Sequence, residues 1–297
     1  MYVTGRKRST QSRRLVVAAV LVGSAWLATN LLSAYAAANP WATAVLWRPP
    51  DHEGALAAAV AGRDIRDDDV IGRFIEPIPG KATVVVVHGY GDDRDAPPVV
   101  AVAGWLHEAG YGVLVVDLGY LHDRHRYSGG HREANDITSA VDWLEQRGQP
   151  IAAVWGFSAG AHAALIAATR DPRIPAVVAD SPFADGEAQI RRIASATWKL
   201  PPSSFFLVGP AMKLFSGDQP VNVAALDWPG TTRALIIAGE DDTTVPAPDA
   251  RNITGQTAGE LLQLPGVGHT QAYRDAPSAY RDRALDFVGR AVPRPSA

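Results

Sequence analysis

"AVWGFSAGAHAAL", residues 153–165, sets a serine between two glycines where two patterns meet. Ahead of it lies IAAVWGF (151–157), an apolar run of strand length. Behind it lies AGAHAALIAATR (159–170), rich in small residues and helix formers. A serine in an ordinary loop needs no such neighbours. A sharp turn from a buried strand into a helix strains the backbone of its apex residue, and the crossing chains crowd the flanking positions. Gly156 and Gly160 meet that demand, and Ala159 adds to it. The hydroxyl of Ser158 then stands at the carboxyl edge of a sheet, near the positive end of the following helix.

The alternation of strand and helix extends along most of the chain. ATVVVVHG (82–89) and YGVLVVDL (111–118) read as strands buried on both faces. Between them PPVVAVAGWLHEAG (97–110) predicts a helix that Gly110 terminates. HREANDITSAVDWLEQRG (131–148) places Ile137, Val141 and Leu144 on one helix face, and Gly148 stops it. IPAVVADS (174–181), TRALIIAGE (232–240) and AGELLQLPG (258–266) are further strands, and SAYRDRALDFVGRAV (278–292) is a closing helix. Strands joined by crossover helices imply an α/β fold, a mainly parallel sheet flanked by helices on both faces.

The chain has 297 residues, 47% of them hydrophobic, enough for a large core. A net charge of −3 gives no overall field toward nucleic acid. With no cysteine, disulfides and thiol chemistry are excluded. The compartment stays open, since many exported proteins lack disulfides.

The N-terminus differs in kind. Residues 1–14 carry Arg6, Lys7, Arg8, Arg13 and Arg14 and no acid, and Leu15 to Ala37 carry no charge. As a helix that run is roughly 35 Å long, against a hydrocarbon core of ~30 Å. The charge asymmetry predicts a cytoplasmic N-terminus, one transmembrane signal-anchor over 15–37, and an extracytoplasmic remainder. The alternative is a signal peptide cleaved near the small residues Ala34 and Ala36, which releases a secreted protein. Residues 38–69 read as a connector in which Trp41 and Trp47 either meet the membrane interface or pack on the domain.

A serine hydroxyl is a weak nucleophile until a base takes its proton. His269, in LPGVGHTQAY, follows a strand in a glycine-rich loop that can reach the sheet edge. Its imidazole needs a carboxylate partner, and IIAGEDDTTVP offers Glu240, Asp241 and Asp242 at another strand end. The chain order, serine then acid then histidine, departs from the chymotrypsin and subtilisin orders. All three groups fall at strand carboxyl ends, where open parallel sheets build their sites.

Four segments together resemble the α/β-hydrolase superfamily of serine hydrolases: VVVVHGYG, GFSAG, GEDDTTVP and GVGHT. Within it the chain is similar to the membrane-anchored Bem46/YqkD/FrsA-like group of hydrolases. The resemblance covers residues 70–292, with 293–297 as a tail. It implies an esterase-like serine hydrolase acting on a small-molecule or lipid-like ester without a cofactor. It selects Asp242 as the acid beside Ser158 and His269, and Tyr90 as the donor of a backbone N–H to an oxyanion hole that Ala159 completes. It also implies that residues 182–230 form a small helical cap. There Trp198, Phe205, Phe206, Met212 and Phe215 either line the substrate pocket or pack the cap on the domain. A peptidase or amidase with the same triad, and a non-catalytic membrane-anchored scaffold, are the rival readings.

Where the superfamily continues after this strand as D-x-R-G-x-G-x-S, this chain reads DLGYLHDRHRYSGGH (117–131). His122, Asp123, His125 and His131 there read as a solvated loop, not a metal site, because nothing fixes a ligand geometry. His88 reads as a brace for its turn and His162 as a packed helix residue. The sequence leaves the oligomeric state open.

Overall fold

The computed structural model describes residues 6–38, 53–122, 124 and 126–291. Trp41, Trp47, Asp123, His125 and the 293–297 tail lie outside the described residues. The strands are β1 (Arg63–Arg66), β2 (Ile71–Ile75), β3 (Thr83–Val87), β4 (Gly112–Val116), β5 (Ile151–Phe157), β6 (Ala176–Asp180), β7 (Arg233–Gly239) and β8 (Glu260–Leu264). The helices are α1 (Arg6–Ala38), α2 (Ala55–Ala59), α3 (Pro97–Glu108), α4 (His131–Glu145), α5 (Ala159–Arg170), α6 (Gly186–Trp198), α7 (Val208–Ser216), α8 (Ala247–Thr257), α9 (Ala272–Asp275) and α10 (Pro277–Ala291).

All eight strands form one sheet in the order β1-β2-β4-β3-β5-β6-β7-β8. From β4 to β8 every pairing is parallel, while β1 with β2 and β2 with β4 are antiparallel. The inner parallel strands β3, β4 and β6 are buried on both faces, which is why their sequences are nearly unbroken apolar runs. Alternate residues enter opposite cores. Val85, Val87, Leu114, Val116 and Val154 pack with Ile137 and Val141 of α4 and Leu165 of α5. Val84, Val86, Val113, Val115 and Trp155 pack with Val102 and Leu106 of α3 and Phe287 of α10.

The sheet begins at Arg63, inside the stretch that the sequence reads as a connector. β1, Arg-Asp-Ile-Arg, has one apolar residue, Ile65, and that residue alone is buried. Such a charged edge strand carries little apolar signal and resists pairing with other chains. Gly72 allows β2 to approach β4, since a Cβ there would sit 2.0 Å from the carbonyl oxygen of Val115.

Between β6 and β7 stand α6, a 3-10 turn at Pro202–Phe205, and α7. Asp185 caps α6, its Oδ1 accepting the N–H of Ala188 at 3.0 Å. Phe205, Val208 and Met212 form an apolar cluster with Ile190, Ala194 and Leu200 that holds these elements together. Helix α1 is long and apolar enough over Ser12–Leu32 to cross a membrane, by length and composition. It packs on α7 and the 3-10 turn.

Candidate active site

Ser158 sits on the turn between β5 and α5 with φ 49° and ψ −110°. A left-handed φ is rare for a side-chain-bearing residue, and such strain clusters at functional sites. The flanking glycines are there for space. A Cβ on Gly156 would lie 2.4 Å from the carbonyl oxygen of Gly160, and one on Gly160 would lie 2.3 Å from that of His88. The turn is held by the Ser158 N–H donating to the Asp180 carbonyl at 2.8 Å.

The loop after β8 brings His269 to this serine. The Ser158 hydroxyl lies 2.9 Å from His269 Nε2, and His269 Nδ1 lies 2.7 Å from Asp242 Oδ2. A carboxylate only accepts, so Nδ1 carries the proton and Nε2 faces the hydroxyl as an acceptor. Asp242 Oδ1 accepts the N–H groups of Thr244 at 2.8 Å and Val245 at 2.9 Å. Its carboxylate is thus fixed at both oxygens and is 4% exposed. Glu240 and Asp241, its neighbours, are exposed. The two loops interlock: a Cβ on Gly239 would meet the Val267 carbonyl oxygen at 2.1 Å, and the Asp241 N–H donates to that oxygen at 3.0 Å.

The turn after β3 closes the other side. A Cβ on Gly89 would be 3.5 Å from the Ser158 Cβ, so the His88–Gly89–Tyr90 turn abuts the serine. His88 is fully buried and spends both ring nitrogens on backbone. Nδ1–H donates to the Gly89 carbonyl at 2.7 Å, and Nε2 accepts the Leu118 N–H at 2.9 Å. It braces the turn. Ala159 opens α5, so its N–H is one of the first-turn donors without an intrahelical partner.

His162 is buried one turn into α5. Its Nδ1–H donates to the Phe183 carbonyl at 2.8 Å, and its ring stacks on Phe183 at 4.2 Å. Burial pushes its pKa down to about 4. His122 pairs with Asp117 at 3.1 Å, whereas His131 meets Arg170, so these two histidines of the loop turn to different partners.

Of the pocket candidates in residues 182–230, Phe205 and Met212 are buried in the cluster between α6 and α7, Trp198 meets Phe205 edge-on at 6.5 Å, and Phe206 is exposed with the Arg191 guanidinium 5.4 Å from its ring. The side chain of Phe215 lies outside the described residues. Packed around Ala159 are Phe183, Val245 and Tyr127, residues that sequence reasoning missed. Tyr127 belongs to a ring cluster with Tyr90 at 4.7 Å and Tyr120 at 5.8 Å. Tyr120 and Tyr127 are raised well above the ordinary tyrosine pKa, first by burial and then by the nearby Glu133. Both come from DLGYLHDRHRYSGGH, and Tyr90 joins them from the turn after β3.

A second missed group underlies the histidine loop. The Ser181 hydroxyl donates to Asp180 Oδ1 at 2.8 Å and accepts the Thr270 N–H at 3.1 Å. Burial raises the Asp180 carboxyl to about 6 against the hydrogen bonds from Tyr280 and Ser181. The Tyr280 hydroxyl in turn accepts Trp155 Nε1–H at 3.1 Å.

No family model and no curated protein matches this sequence. Solved structures do match. An esterase of Pyrococcus furiosus is 25% identical with a TM-score of 0.64, over 82% of this chain and 97% of that one. Est1E of Butyrivibrio proteoclasticus is 20% identical with a TM-score of 0.59, over 77% of this chain and 98% of that one. A dienelactone hydrolase of Anabaena variabilis is 21% identical with a TM-score of 0.55, over 78% and 97%. With a mostly parallel sheet and helices on both faces, these likenesses establish that the chain has the α/β-hydrolase fold.

Proposed function

We propose that the protein is a membrane-anchored serine hydrolase that cleaves carboxylic esters through an acyl-enzyme. The observation that carries this reading is the unbroken hydrogen-bonded line from Ser158 through His269 to Asp242. His269 Nε2 takes the hydroxyl proton as Ser158 Oγ attacks the ester carbonyl. Asp242 holds the Nδ1–H tautomer and stabilises the imidazolium. The N–H groups of Ala159 and Tyr90 face the oxyanion, each donor contributing ~2.7–4 kcal/mol in the transition state. Collapse expels the alcohol, which receives its proton from His269. Water then repeats the sequence on the acyl-enzyme.

Esters are favoured over amides by the solved neighbours, among them the Pyrococcus furiosus esterase and an Est1E structure with ferulic acid bound. By its motifs we read the chain as similar to the Bem46/YqkD/FrsA-like hydrolases. The basic residues at the N-terminal end of α1, ahead of its apolar stretch, support an anchor with the catalytic domain outside.

A fluorophosphonate probe and a series of p-nitrophenyl esters test the reading. Wild type should be labelled and should turn over; Ser158→Ala should do neither, with kcat lower on the order of 10⁶-fold. Wild-type turnover by Ser158→Ala overturns it. Amide hydrolysis outrunning ester hydrolysis moves the assignment to an amidase.

A further inference from the structure

We infer that the cap is a membrane-docking surface, seated in the interface of an anionic bilayer beside α1, so that the site is supplied with esters resident in that bilayer. This rests on the membrane-anchored hydrolase reading and adds where the substrate comes from.

The first observation is where α1 meets the cap. Trp26 Nε1–H donates to the Ser203 carbonyl at 3.0 Å, and the Leu207 N–H donates to Asn30 Oδ1 at 3.2 Å. Asn30 is fully buried, a polar side chain used on the cap backbone. Between Leu15, where the uncharged run begins, and Trp26 the helix rises about 17 Å, well short of a hydrocarbon core of ~30 Å. The cap therefore enters the interface if the helix is to cross.

The second observation is the apolar surface at that level. Leu31 and Leu32, directly after the buried Asn30, are 55% and 63% exposed. On the cap Leu214 is 77% exposed, Phe206 53% and Trp198 47%. A bilayer that covers Leu31 and Leu32 reaches the cap beside them. The third observation is charge. Residues 182–230 balance Arg191, Arg192, Lys199 and Lys213 against Asp185, Glu187, Asp218 and Asp227, and Arg191 and Arg192 are ion-paired with Glu187 and Asp249, so the charge beside the exposed apolar residues is that of Lys199 and Lys213. Lys199 follows Trp198 and Lys213 precedes Leu214, so ammonium groups flank the apolar residues, as interfacial surfaces carry them.

The cap is joined to the candidate site. Gln189 Nε2–H donates to the Thr244 carbonyl at 3.3 Å, in the loop whose N–H groups hold Asp242. Arg192 pairs with Asp249 at 2.9 Å.

The absence of cysteine makes the test direct. Single cysteines replace Val20, Leu214 or Glu108 in the full-length protein, which is labelled with an environment-sensitive fluorophore and reconstituted into phosphatidylcholine–phosphatidylglycerol vesicles containing doxyl lipid. Quenching at 20 and 214 but not at 108 is expected. Quenching at 20 alone overturns cap docking and leaves the anchor standing; quenching at neither overturns both. Cross-linking between labels at 214 without quenching assigns the face to a second copy and also overturns it. A Leu214→Asp variant should hydrolyse a water-soluble p-nitrophenyl ester as wild type does and lose several-fold on a vesicle-borne ester. Equal loss on both, or on neither, overturns the supply route; hydrolysis of neither ester by wild type overturns the hydrolase reading, while the quenching still decides docking. Lys199→Glu with Lys213→Glu should reduce the preference for anionic vesicles by about fivefold per charge.

Discussion

Ser181 and Thr270 share φ 54° and are hydrogen-bonded to each other, Ser181 Oγ accepting the Thr270 N–H at 3.1 Å. One directly follows β6 and the other follows His269, so the end of an inner strand pins the loop that carries the proposed base. Ser181→Ala should lower kcat by about tenfold, the scale of one hydrogen bond, with KM little changed. Steady-state kinetics on a soluble ester checks this; a change confined to KM would assign Ser181 to substrate contact instead.

Only one of the two adjacent aspartates is aimed at the imidazole. Asp242→Asn should cost on the order of 10⁴ in kcat, because the histidine loses the partner that sets its tautomer. Asp241→Asn should stay near wild type, since that side chain is exposed. The reverse ranking would remove Asp242 from the proposed triad.

Gly160 and Gly104 are both helical, with opposite surroundings. A methyl on Gly160 would strike the carbonyl oxygens of His88 and Val87 at 2.3 and 2.6 Å. Gly160→Ala should lower the melting temperature by roughly 2–12 °C. Gly104 has open space within 4 Å, so Gly104→Ala should raise it slightly through helix propensity. Thermal melts of the two variants are the comparison.

Asp180 and His162 make stability depend on pH in opposite senses. Folded Asp180 keeps its proton to about pH 6, whereas an unfolded aspartate releases it near ~4. Over that window the folded state binds more protons, so stability falls as pH rises. Folded His162 stays neutral down to about pH 4, whereas an unfolded histidine charges below ~6.5. There the unfolded state binds more protons, so stability rises with pH. Asp180→Asn should leave a melting temperature that climbs more steeply from pH 4 to 6 than in wild type, and His162→Gln should do the opposite.

The parts of the fold that sequence made legible are those written by strong local physics. Ile151–Phe157 followed by Ala159–Arg170 reads directly, because a doubly buried strand and a small-residue helix each have a plain pattern. β1 does not, since an edge strand of Arg-Asp-Ile-Arg has too little apolar content. Helix α8, interrupted by polar residues and Gly255, also escaped. Ser158, Asp242 and His269 were readable from their motifs, and the structure brings the three side chains together. Tyr120, Tyr127 and Ser181 were not, because their positions depend on long-range packing that no local pattern encodes.

The order β5-β6-β7-β8 sets Ser158 at the heart of the sheet and hangs His269 from its outermost strand. β5 is almost wholly buried, whereas β8 is partly exposed along four of its five residues. Local openings start where fewest contacts must be broken. The proposed nucleophile and base therefore belong to regions of unequal thermal endurance. On warming, β8 should fray first and carry His269 off while the helices and central strands persist, so that hydrolysis is lost at a lower temperature than the circular-dichroism signal.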